Sequence, residues 1–111
     1  MRKRVRWRLV HLIEILLPLY DNEGERFPAA LFGAVREELV EHFGGLTAFT
    51  RSPAEGLWQA EDGERSRDEI VIFEVMADWI DRSWWRSYRS QLEERFAQEE
   101  ILIRAREVDR L

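Results

Sequence analysis

Apolar and polar residues alternate along two segments of the chain. In residues 5–17 the odd positions are apolar except for His11, and the even positions change from arginine to mainly apolar residues after Arg8. Residues 99–108 alternate in the same way, and residues 69–77 form a further strand-like segment. A period of two residues is that of a β-strand, whose side chains point to opposite faces of a sheet. The pattern predicts three strands, the first ending at Pro18.

The segment "DEIVIFEVMA", residues 68–77, is apolar on both of its faces. A strand with one face in water should alternate cleanly between apolar and polar residues. One face here takes Val71, Phe73 and Val75, and the other takes Ile70, Ile72, Glu74 and Met76. Both faces of this strand are therefore expected to be covered, and the second one contains a carboxylate.

Two segments have the spacing of amphipathic helices. Residues 27–45 begin near Pro28 and end at Gly44 and Gly45, and residues 78–98 begin with Asp78 and Asp81. The predicted inward stripes are Phe32, Val35, Leu39 and Phe43, then Trp85, Tyr88, Leu92 and Phe96, with Ile80 and Trp84 at the edge of the second.

Between these helices the sequence predicts a short strand, "LTAFTRS", and a turn or bulge at "SPAEG". The strand resumes at "LWQA", and "EDGERSRD" forms a charged hairpin tip. The order strand–helix–strand–strand–helix–strand predicts an α+β, ferredoxin-like βαββαβ sandwich. It has a four-stranded antiparallel sheet, strands one and three central, and two helices on one face. We expect one domain over residues 1–111, with residues 1–8 as a basic extension of the first strand.

The sheet face opposite the helices, called the open face below, is predicted to be a large apolar patch with a polar centre. Soluble monomers rarely expose such a patch, and a second copy of the chain is the simplest cover. We therefore expect a homodimer, or alternatively a small-molecule ligand, on this face. Its predicted residues are Leu12, Glu14, Leu16, Ile70, Ile72, Glu74, Met76, Leu102, Arg104 and Arg106. Trp79 lies outside the helical stripe and is expected to contact a partner.

Glu14 and Glu74 are the main candidates for chemistry, because they lie on adjacent central strands and the same face. Two carboxylates in an apolar setting raise the pKa of one of them, which suits general acid–base catalysis. Arg104 or Arg106 would instead turn the pair into a structural ion-pair network.

His11 is the third candidate, although parity places it on the helix-covered face. His42 is expected at a helix C-terminus, where an imidazolium interacts favourably with the helix dipole. With two histidines and no cysteine, the chain has no recognisable metal-ligand spacing, and no cofactor is expected.

Composition narrows the choice of partner and compartment. The net charge of -5 argues against general nucleic-acid binding, despite the basic run "RKRVRWR" at residues 2–8. The absence of cysteine fits a reducing cytoplasm. The first 19 residues imitate a signal peptide, but His11 and Glu14 interrupt the apolar run and no small-residue cleavage site follows. Its apolar stretches are too short to span a membrane.

The segments at residues 46–74 and 95–105 also carry a family resemblance. Gly56 and Trp58 lead into a polar hairpin, and Phe96, Gln98 and Glu99 end a helix before the last strand. Over roughly residues 13 to 105 the chain resembles an uncharacterised family of small bacterial ferredoxin-like α+β proteins, a domain of unknown function. Family members are often exported, and this N-terminus departs from that. The resemblance implies the fold and says nothing of catalysis.

Two functions follow from this interpretation. The first is a small dimeric domain that acts as a binding or interaction module. The alternative is a cofactor-free enzyme of the dimeric α+β barrel kind, resembling small monooxygenases or isomerases, with a pocket on the sheet. RNA binding on the sheet would require exposed aromatic residues on the central strands, and Phe73 is predicted to face the helices.

Overall fold

The computed structural model describes residues 9–51 and 69–111. Its elements follow the predicted order. The strands are β1 (Leu9–Pro18), β2 (Thr47–Arg51), β3 (Ile70–Ala77) and β4 (Leu102–Asp109), and the helices are α1 (Ala29–Phe43) and α2 (Arg82–Arg95). The predicted basic extension at residues 1–8, the turn "SPAEG", the strand continuation "LWQA" and the tip "EDGERSRD", with Gly56 and Trp58, lie outside the described residues.

The four strands form one antiparallel sheet in the order β2-β3-β1-β4, with β1 and β3 central as predicted. Both helices pack on one face, so the fold is the predicted ferredoxin-like α+β sandwich. The core between the helices and the sheet contains Ile13, Ile15, Leu17, Phe73, Val75 and Ile101 from the sheet side, and Phe32, Val35, Leu39, Trp85, Tyr88, Leu92 and Phe96 from the helix side.

Helix α1 ends at its predicted glycine and begins at Ala29, one residue after the predicted start at Pro28. Pro28 is the N-terminal cap residue, and Gly44 ends the helix in the left-handed conformation (φ 85°), donating its backbone N–H to the Val40 carbonyl at 2.7 Å. The inward stripe is also as predicted, with Phe32, Val35 and Leu39 buried.

Helix α2 begins later than predicted. Asp81 is extended (φ -87°, ψ 92°), and its carboxylate accepts the backbone N–H of Trp84 at 3.1 Å. The helix therefore starts at Arg82, since the second of the two aspartates is the cap. The prediction that the helix includes residues 78–80 was wrong: these residues connect β3 to Asp81. Ile80 nevertheless packs against the core, as its pattern suggested.

Candidate functional site

A row of polar side chains crosses the centre of the open face. Thr47 pairs with Glu74, Glu74 with Glu14, and Glu14 with Arg104, so four neighbouring strands each place one polar residue in the row. Residues paired side by side in a sheet project to the same face and lie close together. The antiparallel register thus brings the two predicted carboxylates together at the middle of the sheet.

Arg104 contacts Glu14 directly. Its Nε donates to Glu14 Oε1 at 2.7 Å, a charge-assisted hydrogen bond. The Glu14 side chain is only 14% exposed, whereas that of Arg104 is 48% exposed. Arg106, one pair further along β4 and opposite Leu12, adds a second positive charge near both carboxylates.

The two carboxylates have different proton affinities because of this arrangement. The hydrogen bond from Arg104 lowers the pKa of Glu14, and it outweighs the opposing effect of partial burial. Partial burial raises the pKa of Glu74, and the hydrogen bond and negative charge of Glu14 raise it further. Glu74 is therefore the member of the pair that holds a proton more readily, while Glu14 stays ionised.

An apolar row lies beside the polar one, formed by Phe49, Ile72, Leu16 and Leu102. Its two outer members, Phe49 and Leu102, are 38% and 51% exposed. On the other side of the polar row, Met76 is 50% exposed and pairs with Leu12. The predicted apolar residues Leu12, Leu16 and Ile70 are half-buried.

Ile72 differs from the expectation of an exposed patch residue. It is 1% exposed within the single chain, although it lies on the open face. A side chain that is already buried has little surface left to offer a second copy, so any contribution of Ile72 to an interface stays a prediction. The exposed apolar surface of this face is concentrated at Phe49, Met76 and Leu102.

A small hollow of about 240 Å³ adjoins Glu74. Its other walls include Leu12, Leu46 and Met76, and Thr47 lies at its edge in register with Glu74. The hollow places the carboxyl group of raised pKa beside apolar surface, in a concave position that a small molecule can enter.

A larger cleft of about 540 Å³ lies at the end of the sheet where β3 stops. Trp79 lines it and is 68% exposed, which places this predicted partner-contact residue outside the helix and outside the core. Trp84 and Trp85 from the first turn of α2 form another wall. The cleft and the hollow share Met76 and Phe43 and are therefore adjacent.

The two histidines lie away from the carboxylate pair. His11 Nε2 is 3.8 Å from Glu107 Oε2, and His11 Nδ1 is buried without a hydrogen-bond partner among the described residues. The structure therefore does not bring His11 together with Glu14 or Glu74. His42 lies in the last turn of α1, as predicted, and stacks on Trp84 with ring centroids 4.2 Å apart.

A second polar network ties the helices together. Tyr88 of α2 donates its hydroxyl hydrogen to Glu38 Oε1 of α1 at 2.7 Å, and Arg95 donates to the same oxygen at 2.9 Å. Burial alone would raise the pKa of Glu38, but the hydrogen bonds from Arg95 and Tyr88 lower it overall. Burial and the bond to Glu38 raise the pKa of Tyr88. This network is fully paired and fits a structural role.

Sequence reasoning missed several residues of these surfaces. Phe49 was assigned to no face, although the alternation in "TAFTR" and the pairing with β3 place it on the open face. Asp78 and Arg110 line the cleft, but no periodicity signals them because both lie in connecting or terminal segments.

Within residues 9–51 and 69–111, no three side chains of histidine, aspartate or glutamate come together in a way that would hold a metal ion. In the same residues, no helix has both the length and the apolar character needed to cross a membrane.

Comparison with known proteins gives no family for this chain. No protein-family model matches the sequence, and no curated protein matches it. What the structure supports of the resemblance described above is the fold, a small α+β sandwich with a four-stranded antiparallel sheet.

Proposed function

We propose that this chain is a small binding or interaction module that works as a homodimer, with the open face of its sheet as the interface. The observation that supports this most directly is the exposure of three large apolar side chains on one sheet face, Phe49, Met76 and Leu102. Exposed apolar groups clustered on one face are typical of interaction surfaces.

The charges of the open face favour a second copy as the partner. The acidic groups, Glu14 and Glu74, are on the central strands, and the basic groups, Arg104 and Arg106, are on the edge strand β4. A two-fold arrangement that sets β4 of one copy over the central strands of the other places arginines opposite glutamates twice. The face is thus complementary to itself in charge as well as in apolar character.

The test is the solution mass of the full chain, measured by light scattering at several concentrations. We expect the wild type to be a dimer and Leu102→Asp to be a monomer, since Leu102 is 51% exposed on the open face. Val40→Asp is the matched control, because Val40 is similarly exposed (41%) but lies on α1. A monomeric wild type, or a dimer that Leu102→Asp leaves intact, would contradict the proposal.

A second candidate function is a cofactor-free enzyme of the dimeric α+β barrel kind. The observation that favours it is that Glu74, whose pKa is raised, lines the 240 Å³ hollow beside the ionised Glu14. In this function Glu74 would be the general acid and Glu14, oriented by Arg104, would hold its proton in place.

A fragment screen by NMR tests this candidate. Ligands that bind in the hollow would shift the backbone amide signals of Leu46, Thr47 and Met76. The affinity of these ligands would depend on pH through the protonation of Glu74, and Glu74→Gln would remove that dependence. A screen in which no fragment perturbs these amides would argue against a substrate pocket at this position.

The remaining parts of the proposal rest on sequence. Residence in the cytoplasm is supported by the absence of cysteine, and the lack of a nucleic-acid partner by the net charge of -5. Membership of the small bacterial family described above is supported by the shared fold.

A further inference from the structure

The cleft at the end of the sheet is built from the ends of many elements. Its walls come from the start of β1, the end of β3, the connection from β3 to α2, the first turn of α2, the last turn of α1, and the residue that follows β4. Its volume of about 540 Å³ lies within the usual range for small-molecule sites, about 300–1,000 Å³.

One wall of the cleft is held in place by ring stacking. Trp84 lies between His42 and Tyr88, with centroids 4.2 Å and 4.9 Å away and interplanar angles of 12° and 22°. Trp85 stacks on Phe43 at 5.3 Å and 17°. Side chains held in this way are already in position before a ligand arrives, so binding loses little conformational entropy.

Trp79 is the one indole of this wall that the fold leaves mostly in solvent. It is 68% exposed, whereas Trp85 is 7% exposed and Trp84 is half-buried. A large aromatic side chain at the rim of a preformed cleft offers a free ring face, and the negative face of an indole attracts cations.

The charged side chains that line the cleft have a net negative charge, which favours a cation. Asp78 and Asp81 contribute two negative charges, and Arg110 contributes one positive charge. The positive end of the α2 dipole is also nearby, but the Asp81 carboxylate already accepts the Trp84 N–H there at 3.1 Å. The C-terminal end of α1, at His42 and Phe43, contributes its negative dipole end.

We propose that this cleft is a binding site for a small organic cation, with its ammonium group against the Trp79 ring and the Asp78 carboxylate and its apolar part against the half-buried Trp84. The site borders the open face, since Met76 lines the cleft and is also an exposed residue of the proposed interface, but its ligand contacts are not members of the carboxylate pair. It adds an organic cation to the partner surface and the hollow already described on the sheet face.

The test uses choline and its neutral isostere 3,3-dimethylbutan-1-ol as a matched pair of probes. Each is titrated into the full-length chain while the indole N–H signals are followed by NMR, with the Trp79 signal assigned from Trp79→Phe. We expect choline to shift the Trp79 signal in a saturable way and the isostere to bind roughly fivefold more weakly or worse. Equal binding of the two probes, or no saturable shift with choline, would overturn the proposal.

Variants locate the site. Asp78→Asn and Trp79→Ala are expected to weaken choline binding, and both positions are exposed, so the fold should tolerate them. Glu100→Gln removes an exposed carboxylate that does not line the cleft and is the control for general charge effects. If Glu100→Gln weakens choline binding as much as Asp78→Asn does, the attraction is to an acidic protein in general, and the proposed site is overturned.

Sulfate, titrated as an anionic probe, should not shift the Trp79 signal. A saturable shift with sulfate would assign the cleft to anions, bound through Arg110, and would overturn the proposal.

Discussion

Glu14 and Glu74 lie directly opposite each other on the two central strands, and Arg104 donates a 2.7 Å hydrogen bond to Glu14. The arginine fixes which carboxylate stays ionised, so the pair is asymmetric. The pKa of Glu14 is lowered and that of Glu74 is raised.

Replacing Glu74 with glutamine should stabilise the fold at pH 7. In the wild type, folding raises the pKa of Glu74 above the ordinary glutamate value of 4.5. Between that value and the pKa of Glu74 in the folded state, the folded chain binds more protons than the unfolded chain. Stability therefore falls as pH rises through that window and is lower above it. Glu74→Gln removes this loss, and we expect a gain of ~0.5 kcal/mol at pH 7, since the site is partly solvated. Urea unfolding at pH 4.5 and pH 7 measures it.

The neighbouring carboxylate gives the opposite result. Glu14 has a lowered pKa, so its contribution to stability is present above pH 4.5 and is lost as pH falls below that value. Glu14→Gln should therefore destabilise the chain at pH 7 and flatten the acid limb of the stability curve. Equal effects of the two glutamine variants would contradict the asymmetry of the pair.

Ile72 and Met76 should differ in their effect on folding, although both lie on the open face of β3. Ile72 is 1% exposed and Met76 is 50% exposed. Ile72→Ala should cost ~2–4 kcal/mol of unfolding free energy because it leaves a cavity. Met76→Ala should cost under about 1 kcal/mol in the monomer. Chemical denaturation at low protein concentration, where a dimer would dissociate, makes the comparison, and similar losses would show that Ile72 belongs to no buried cluster.

The network between the helices predicts a specific role for the Tyr88 hydroxyl. Tyr88→Phe removes the hydrogen bond to Glu38 and should cost about 1 kcal/mol at pH 7. The lowered pKa of Glu38 means that its contribution is present above pH 4.5 and is lost as pH falls below that value, so the wild-type and Tyr88→Phe stability curves should converge in acid. Glu37→Gln, at the exposed neighbouring position, is the control. Curves that stay parallel down to pH 3 would show that the bond does not depend on an ionised Glu38.

Asp81 should be required for the start of α2. Asp81→Ala removes the cap of the Trp84 N–H and should lower stability by ~1 kcal/mol, whereas Asp81→Asn should retain most of it. Asp78→Ala is the matched control, because Asp78 precedes the helix and is not its cap. Thermal unfolding followed by circular dichroism at 222 nm measures all three, and a larger loss from Asp78→Ala would place the helix start earlier.

The sequence by itself determined the order of the elements, the central position of β1 and β3, and the composition of the core. The elements and the core follow from local periodicity, because a period of two assigns residues to sheet faces and spacings of three and four assign them to helix stripes. The central position of β1 and β3 follows from the element order and the right-handed crossovers of a ferredoxin-like sandwich. The placement of Glu14 and Glu74 on one face follows from the same parity.

Only the tertiary structure decided the details that depend on register and on chain ends. The pairing of Glu14 with both Glu74 and Arg104 requires a particular alignment of three strands, and a slip of one residue would move each side chain to the other face. The burial of Ile72 depends on packing between elements. The cleft brings Asp78 and Trp79 together with Arg110, which is far from them in the chain. No local pattern encodes such contacts, because their free energy comes from packing between elements and exists only when the chain is folded.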